Sequence, residues 1–183
     1  PQLDYLQQFD VVLLYENGSY SSSPASELGD RIYEYVMSGG NLVIGTFYWQ
    51  DRSNGDQFSG WGNLELIDPL FGGSCDYESG NLSSIVDHPL TEGLESLYCG
   101  SYRGGPTTLR ENATAVAWWD DGDPLIVFNQ PAGIITAVTM WPGHGYDGIS
   151  GDFYKVWENV IKWTASGSTA NWFSTFPTSG TIP

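Results

Sequence analysis

The sequence predicts an α/β domain with a mainly parallel sheet and an antiparallel C-terminal extension. Three observations carry this. Phe9-Asp10-Val11-Val12-Leu13-Leu14-Tyr15 and Asn41-Leu42-Val43-Ile44-Gly45-Thr46 are apolar runs of strand length that do not alternate. Strands buried on both faces read this way. Between them lies a stretch with apolar residues at helical spacing. Near the C-terminus, three short apolar runs follow one another across tight turns.

The first run predicts a strand, and Glu16-Asn17-Gly18-Ser19 a loop. Ser23-Pro24 opens a helix, because serine caps free N–H groups and proline suits the first turn. Leu28, Ile32, Tyr35 and Val36 make one apolar stripe on it. Gly39-Gly40 ends it, and the next buried strand begins at Asn41. A strand–helix–strand unit of this kind crosses over with a right hand.

From Asp51 to Arg110 periodicity fades into glycine, serine and aromatics. So long a stretch predicts short strands and a disulfide-tied excursion rather than a bare loop. His88-Pro89-Leu90-Thr91 reads as a tight turn in which the histidine shapes the backbone. Ala115–Trp119, Pro124–Phe128 and Ile134–Met140 are strands made antiparallel by the turns at Asp120–Asp123 and Asn129–Gly133. Trp118 and Trp119 alternate across their strand, so one should face the core and the other outward, where the final helix or a neighbour could cover it. Asp152 is placed to cap that helix, with Phe153, Val156, Trp157, Val160 and Ile161 on its buried side.

The domain is expected to span residues 1–165. Residues 166–183 read as a linker followed by the start of a β-sandwich module or a docking tail.

The chain has 183 residues, with Lys+Arg 6 against Asp+Glu 22 and a formal charge of -16. That field repels phosphate backbones, which argues against nucleic acid as a partner. No segment approaches the roughly 20 apolar residues of a membrane span, so no membrane insertion is expected. The acidic surface reads as a solubility coat. Asp120, Asp121 and Asp123 lack the spacing of a calcium loop and read as a solvated hairpin tip. No cofactor or metal is expected.

Cys75 and Cys99 lie in loop-like sequence, where a secreted chain would join them. Closing that loop would stabilise the fold by about 3 kcal/mol. Asn17, Asn81 and Asn112 each begin a glycosylation sequon. Both features fit a secreted or cell-surface location.

The stretches "FDVVLLYENGSY", "LGDRIYEYVMSGGNLVIGT", "DHPLTEGL", "DPLIVFNQPAGIITAVTMWP" and "VWENVIKWTA" occur in that order. Together they resemble class I glutamine amidotransferase-like domains of flavodoxin-like, three-layer fold, as found in large secreted bacterial proteins. The resemblance covers roughly residues 7–165, and the tail "NWFSTFPTSGTIP" is similar to the opening of bacterial immunoglobulin-like repeats. Two departures matter. The family begins with one further strand–helix unit, which this chain is expected to lack, leaving a hydrophobic edge for another segment or chain to fill. The family also carries a cysteine nucleophile after the strand matching Leu42–Thr46 and a His-Pro pair after a late strand. Phe47 and Trp141 stand at those positions. Neither supplies a thiolate or a base.

The remaining candidates cluster in loops after strands. Tyr15, Tyr48, Trp49, Trp141, His144 and Tyr146 could present rings to a sugar or a protein surface, or close over the core. Glu16, Asp51 and Asp147 could supply an acidic pair for glycoside hydrolysis. The sequence thus points first to a non-catalytic structural or protein-interaction module, with self-assembly into a filament as one form. A carbohydrate-binding module and a carboxylate-dependent hydrolase are the alternatives.

Overall fold

The computed structural model describes residues 1–16, 23–53, 60–72, 74–76, 79–143 and 148–167, with backbone alone for 23–24 and 74–76. A short helix, α1 (Leu3–Leu6), precedes strand β1 (Val12–Leu14), helix α2 (Ser23–Met37) and strand β2 (Leu42–Gly45). The middle of the chain supplies β3 (Leu70–Phe71), β4 (Ser74–Asp76), β5 (Gly80–Ile85), β6 (Leu97–Cys99), β7 (Arg103–Gly105) and β8 (Thr108–Leu109). Tight 3-10 turns sit at Tyr48–Asp51, Gly62–Leu66 and Pro89–Thr91. The remainder forms β9 (Thr114–Trp119), β10 (Pro124–Asn129), β11 (Ile135–Val138), β12 (Ser150–Gly151) and helix α3 (Phe153–Ser166).

One sheet runs in the order β1-β2-β11-β10-β9-β5-β6-β12. Its parallel part is β1, β2 and β11, with Leu14 opposite Ile44 and Ala137 opposite Ile44 on the other side. The other ladders are antiparallel. The expected balance is therefore corrected. The antiparallel half draws β5 and β6 from the middle of the chain, so it is not only a C-terminal extension. Two small ribbons, β3–β8 and β4–β7, form separate ladders, and β7 meets the chain just after β11 through an antiparallel bridge between Arg103 and Met140.

The unbroken apolar runs are explained by cover on both faces. On one side Ile32, Tyr35 and Val36 of α2 pack over Leu42, Ile44, Ile135 and Ala137. On the other Val156, Trp157 and Val160 of α3 pack over Val43, Ile126 and Val138. Consecutive strand residues point to opposite layers, so Leu42 and Val43 serve different cores. Each such side chain, fully buried, contributes about 1.5–3 kcal/mol. In α3 the stripe stops short of expectation: Ile161 is exposed. Asp152 does not cap its own helix; its carboxylate accepts from the Glu95 and Ser96 amides at 2.8 and 3.0 Å and so anchors the β6 approach.

The two adjacent tryptophans divide as alternation demands, but not with the expected cover. Trp119 is buried on the α3 side, and Trp118 packs against the α2-side core. A register shift between Ile126 and Val127 places Val116 and Ala117 together on the α3 side.

Two close approaches explain glycines. A Cβ at Gly133 would lie 1.8 Å from the Gly40 carbonyl, where the turn before β11 crosses the end of α2. A Cβ at Gly29 would lie 1.9 Å from the Trp61 carbonyl, where α2 meets the second 3-10 turn.

β1 is an edge strand. Val12 donates to Asn41 O at 2.9 Å, toward β2, so alternation turns the Leu13 amide and carbonyl outward. Leu13 is 37% exposed, and Tyr5 and Phe9 beside it are 54% and 46% exposed.

Candidate functional site at the end of the parallel strands

β2 and β11 finish side by side, tied by Thr46 N donating to Met140 O at 3.2 Å. The chain then turns at Phe47, which is only 6% exposed. Its ring meets the edge of Tyr102 at 5.4 Å, and Tyr102 meets Trp141 at 6.0 Å. Such edge contacts between aromatic rings are favourable beyond the area they bury. Tyr102 adopts φ 59°, a left-handed backbone uncommon for a residue with a side chain. Trp141 is fixed twice: its amide donates to Tyr102 O at 3.1 Å, and its indole donates to Glu16 O at 3.1 Å. Phe47, Tyr102 and Trp141 therefore form a continuous aromatic cap over the strand ends. No thiol or imidazole lies among these three side chains, and nucleophilic catalysis needs both a nucleophile and a base.

The other predicted site residues separate. Tyr48 and Trp49 are buried, at 0% and 1% exposure, and offer no ring to a ligand. Tyr48 stacks on Trp61 at 5.1 Å, and the Trp61 indole donates to Tyr48 O at 2.8 Å. Trp49 lies against Gly104, where a Cβ would come within 2.6 Å of its ring. Tyr15 is 45% exposed, and the carbonyl of the following residue, Glu16, holds the Trp141 indole. His144, Tyr146 and Asp147 lie outside the described residues. Glu16 and Asp51 are both buried, which removes them from an open cleft.

Cys99 is buried in β6 with its Sγ against the Ser101 carbonyl at 2.6 Å. The Cys75 side chain and Asn17 lie outside the described residues. Asn81 donates its side-chain amide to Asp120 at 2.8 Å, while Asn112 is exposed in a turn. His88 does shape its turn: Nδ1 accepts from Leu90 N at 3.1 Å, and the ring stacks on Phe128 at 5.2 Å.

Sequence reasoning missed a buried ionic centre around Asp68. Tyr48 donates its hydroxyl to Asp68 at 2.9 Å. Arg52 grips the same carboxylate with Nε and Nη2, at 2.7 and 2.9 Å. Arg110 adds Nε and Nη2 at 3.0 and 2.8 Å. The Arg110 guanidinium lies 4.0 Å above the Phe71 ring. Burial pushes the Asp68 carboxyl above its ordinary range, against the pull of both arginines and the Tyr48 hydroxyl. Burial also raises the Tyr48 hydroxyl well above its usual value, so it keeps its proton and remains a donor. Burial by itself would lower Arg52, but Asp68 outweighs it and holds the guanidinium charged.

A second pair ties down the acidic hairpin. Arg103, 2% exposed, is hydrogen-bonded to Asp121 and lies over Trp119. The hairpin tip is thus an anchor and not merely solvated, as Asp120 also holds Asn81. One signal was available in the sequence. Only six cations stand among 22 acids, and three of them, Arg52, Arg103 and Arg110, fall in the aperiodic stretch. Among the described residues, no group of three or more His, Cys, Asp or Glu is arranged to hold a metal ion. No described helix is long and apolar enough to cross a membrane.

No protein-family description and no curated protein matches the chain. Solved structures do. A cytoplasmic protein from Salmonella typhimurium is similar over 88% of this chain and 74% of its own, with a TM-score of 0.66 and 19% identity. A protein from Thermoplasma acidophilum, described as part of a GMP synthase, is similar over 90% and 77%, with a TM-score of 0.59 and 13% identity. A GH42 β-galactosidase from G. stearothermophilus matches 87% of this chain with only 22% of its own length, at a TM-score of 0.57 and 13% identity. At these identities the likeness shows the fold alone, an α/β domain consistent with a flavodoxin-like arrangement.

Proposed function

We propose that this chain is a non-catalytic structural or protein-interaction module on an amidotransferase-like scaffold, working outside the cell or at its surface. One observation carries the reading: Phe47, which the resemblance sets at the position of the family's cysteine, is buried with its ring against Tyr102, which in turn meets Trp141. The chemistry of the scaffold needs a thiolate at that place and an open path to it. A buried hydrocarbon ring packed against Tyr102 supplies neither. The occurrence of a similar fold as 22% of a β-galactosidase supports use of this architecture as one part of a larger protein.

A second reading rests on the exposed ring of Tyr15 and on Trp141, whose indole is held by the Glu16 carbonyl next to it in the chain, as aromatic surface suited to a sugar ring. Titration of the purified chain with soluble glycans, followed by tryptophan fluorescence, separates the two. The module reading predicts no saturable change. Saturable binding lost in Trp141→Ala would replace it with carbohydrate recognition. The Glu16→Gln, Asp51→Asn double variant tests the carboxylate hydrolase: glycosidase activity in the parent chain that this variant abolishes would overturn a non-catalytic role.

A further inference from the structure

The buried ionic centre reaches the surface through Arg110, which is partly exposed. Arg110 gives Nε and Nη2 to Asp68, and Nη2 also to the Glu65 carbonyl, while no described residue takes its Nη1. The same guanidinium lies 4.0 Å above the Phe71 ring. Arg110, Phe71, Leu66, Glu111 and Asn112 line an open cleft of about 450 Å³. Clefts that hold ligands run from about 300 to 1,000 Å³. Leu66 is 66% exposed and Phe71 43%. The cleft thus sets apolar surface beside one arginine held from behind by Asp68. A guanidinium fixed in advance loses little freedom when it binds.

Charge decides what fits there. Asp68 and Glu65 already balance Arg110 and Arg52. Glu111 is exposed at the rim, which leaves the cleft a negative border in a chain of formal charge -16. An anionic ligand, or a second copy of this chain, would meet that field unfavourably. A basic segment is drawn in by it. Arginine and aromatic residues are also those on which binding energy concentrates at protein interfaces. We propose that the cleft anchors a separate, basic protein. One aromatic side chain of that partner packs on Leu66 and Phe71, its backbone carbonyl accepts from Arg110 Nη1, and a neighbouring lysine or arginine meets Glu111. This rests on the reading of the chain as an interaction module, and it names the chemistry of the partner.

Titration of the isotope-labelled full chain with short peptides tests this by nuclear magnetic resonance. The probe is acetyl-Lys-Lys-Phe-Lys-Lys-amide, with acetyl-Lys-Lys-Ala-Lys-Lys-amide as its control. The phenylalanine peptide should shift the Leu66 and Phe71 resonances saturably, about 10-fold more tightly than the alanine peptide. Exchanging its lysines for glutamates should abolish binding. Leu66→Gln and Glu111→Gln should each weaken it by about 3- to 10-fold. Both side chains are exposed and lie outside the hydrogen bonds to Asp68, so neither substitution disturbs the ionic centre. An absence of saturable shifts at Leu66 and Phe71 would overturn the proposal. So would equal binding of the phenylalanine and alanine peptides, which would reduce the contact to bulk charge. Shifts that grow with protein concentration alone would make the occupant a second copy and overturn it as well. An unresponsive cleft would leave the module reading standing, whereas glycosidase activity would remove that reading and leave the peptide result as measured.

Discussion

Arg52 and Asp68 meet side-on through two parallel hydrogen bonds, Nε to Oδ2 at 2.7 Å and Nη2 to Oδ1 at 2.9 Å, in a site with almost no solvent. Burial raises the carboxyl even so, which means that for Asp68 the attraction of its partners falls short of its desolvation. The role of the cluster is to fix where the aperiodic segment docks. Removing one member is a different matter, because the others stay buried and unbalanced. Asp68→Asn should therefore cost about 3–5 kcal/mol, read by urea denaturation. A loss below about 1 kcal/mol, the scale of an exposed pair, would show that the cluster is solvated in the folded protein.

Gly29→Ala sets two effects against each other. Alanine in a helix interior favours α2 by about 1 kcal/mol. The new methyl would lie 1.9 Å from the Trp61 carbonyl, backbone that cannot swing aside. Overpacking of this kind costs about 1–3 kcal/mol or more, so net destabilisation is expected in thermal unfolding. A raised melting temperature would mean that α2 and the Trp61 turn are not in contact.

Burial lowers the His88 imidazole from its ordinary value of 6.5, with Asp87 opposing. The sign follows from where each state binds its proton. Above the unfolded value both states are neutral and the full stability is present. As pH falls below it, the unfolded chain takes up a proton that the folded one resists, and stability declines until the folded value is passed. Urea midpoints should fall from about pH 6.5 downward, and His88→Gln should flatten that part of the profile. An identical slope in the variant would assign the loss to carboxylates instead.

Phe47→Ala should open a cavity beside Tyr102 and cost about 3–5 kcal/mol. It should also quench or shift tryptophan emission, since Trp141 loses the ring that seats its neighbour. A near-neutral effect would mean that the cap is loose and the strand ends are open.

The layers of this fold were legible because their signals are local. Apolar runs at Val11–Leu14 and Leu42–Ile44, the stripe through Ile32 and Val36, and Gly39-Gly40 each report their own surroundings. What escaped was set by distant partners. β5 reads poorly as a strand, with Ser83, Ser84 and Ile85 exposed on its surface, yet it borders β9 in the main sheet. Tyr48 looked like a loop aromatic because nothing near it in sequence names Asp68, twenty residues on. Tyr102 carried no motif, and only its position between Phe47 and Trp141 gives it meaning.

The proposal on which the rest hangs is that the strand ends hold a hydrophobic plug where the amidotransferases that this chain resembles hold a reactive sulfur. Ammonia release from saturating glutamine by the purified full chain addresses it most directly. The plugged site predicts release no faster than in buffer alone. Saturable release that persists through repurification would contradict it.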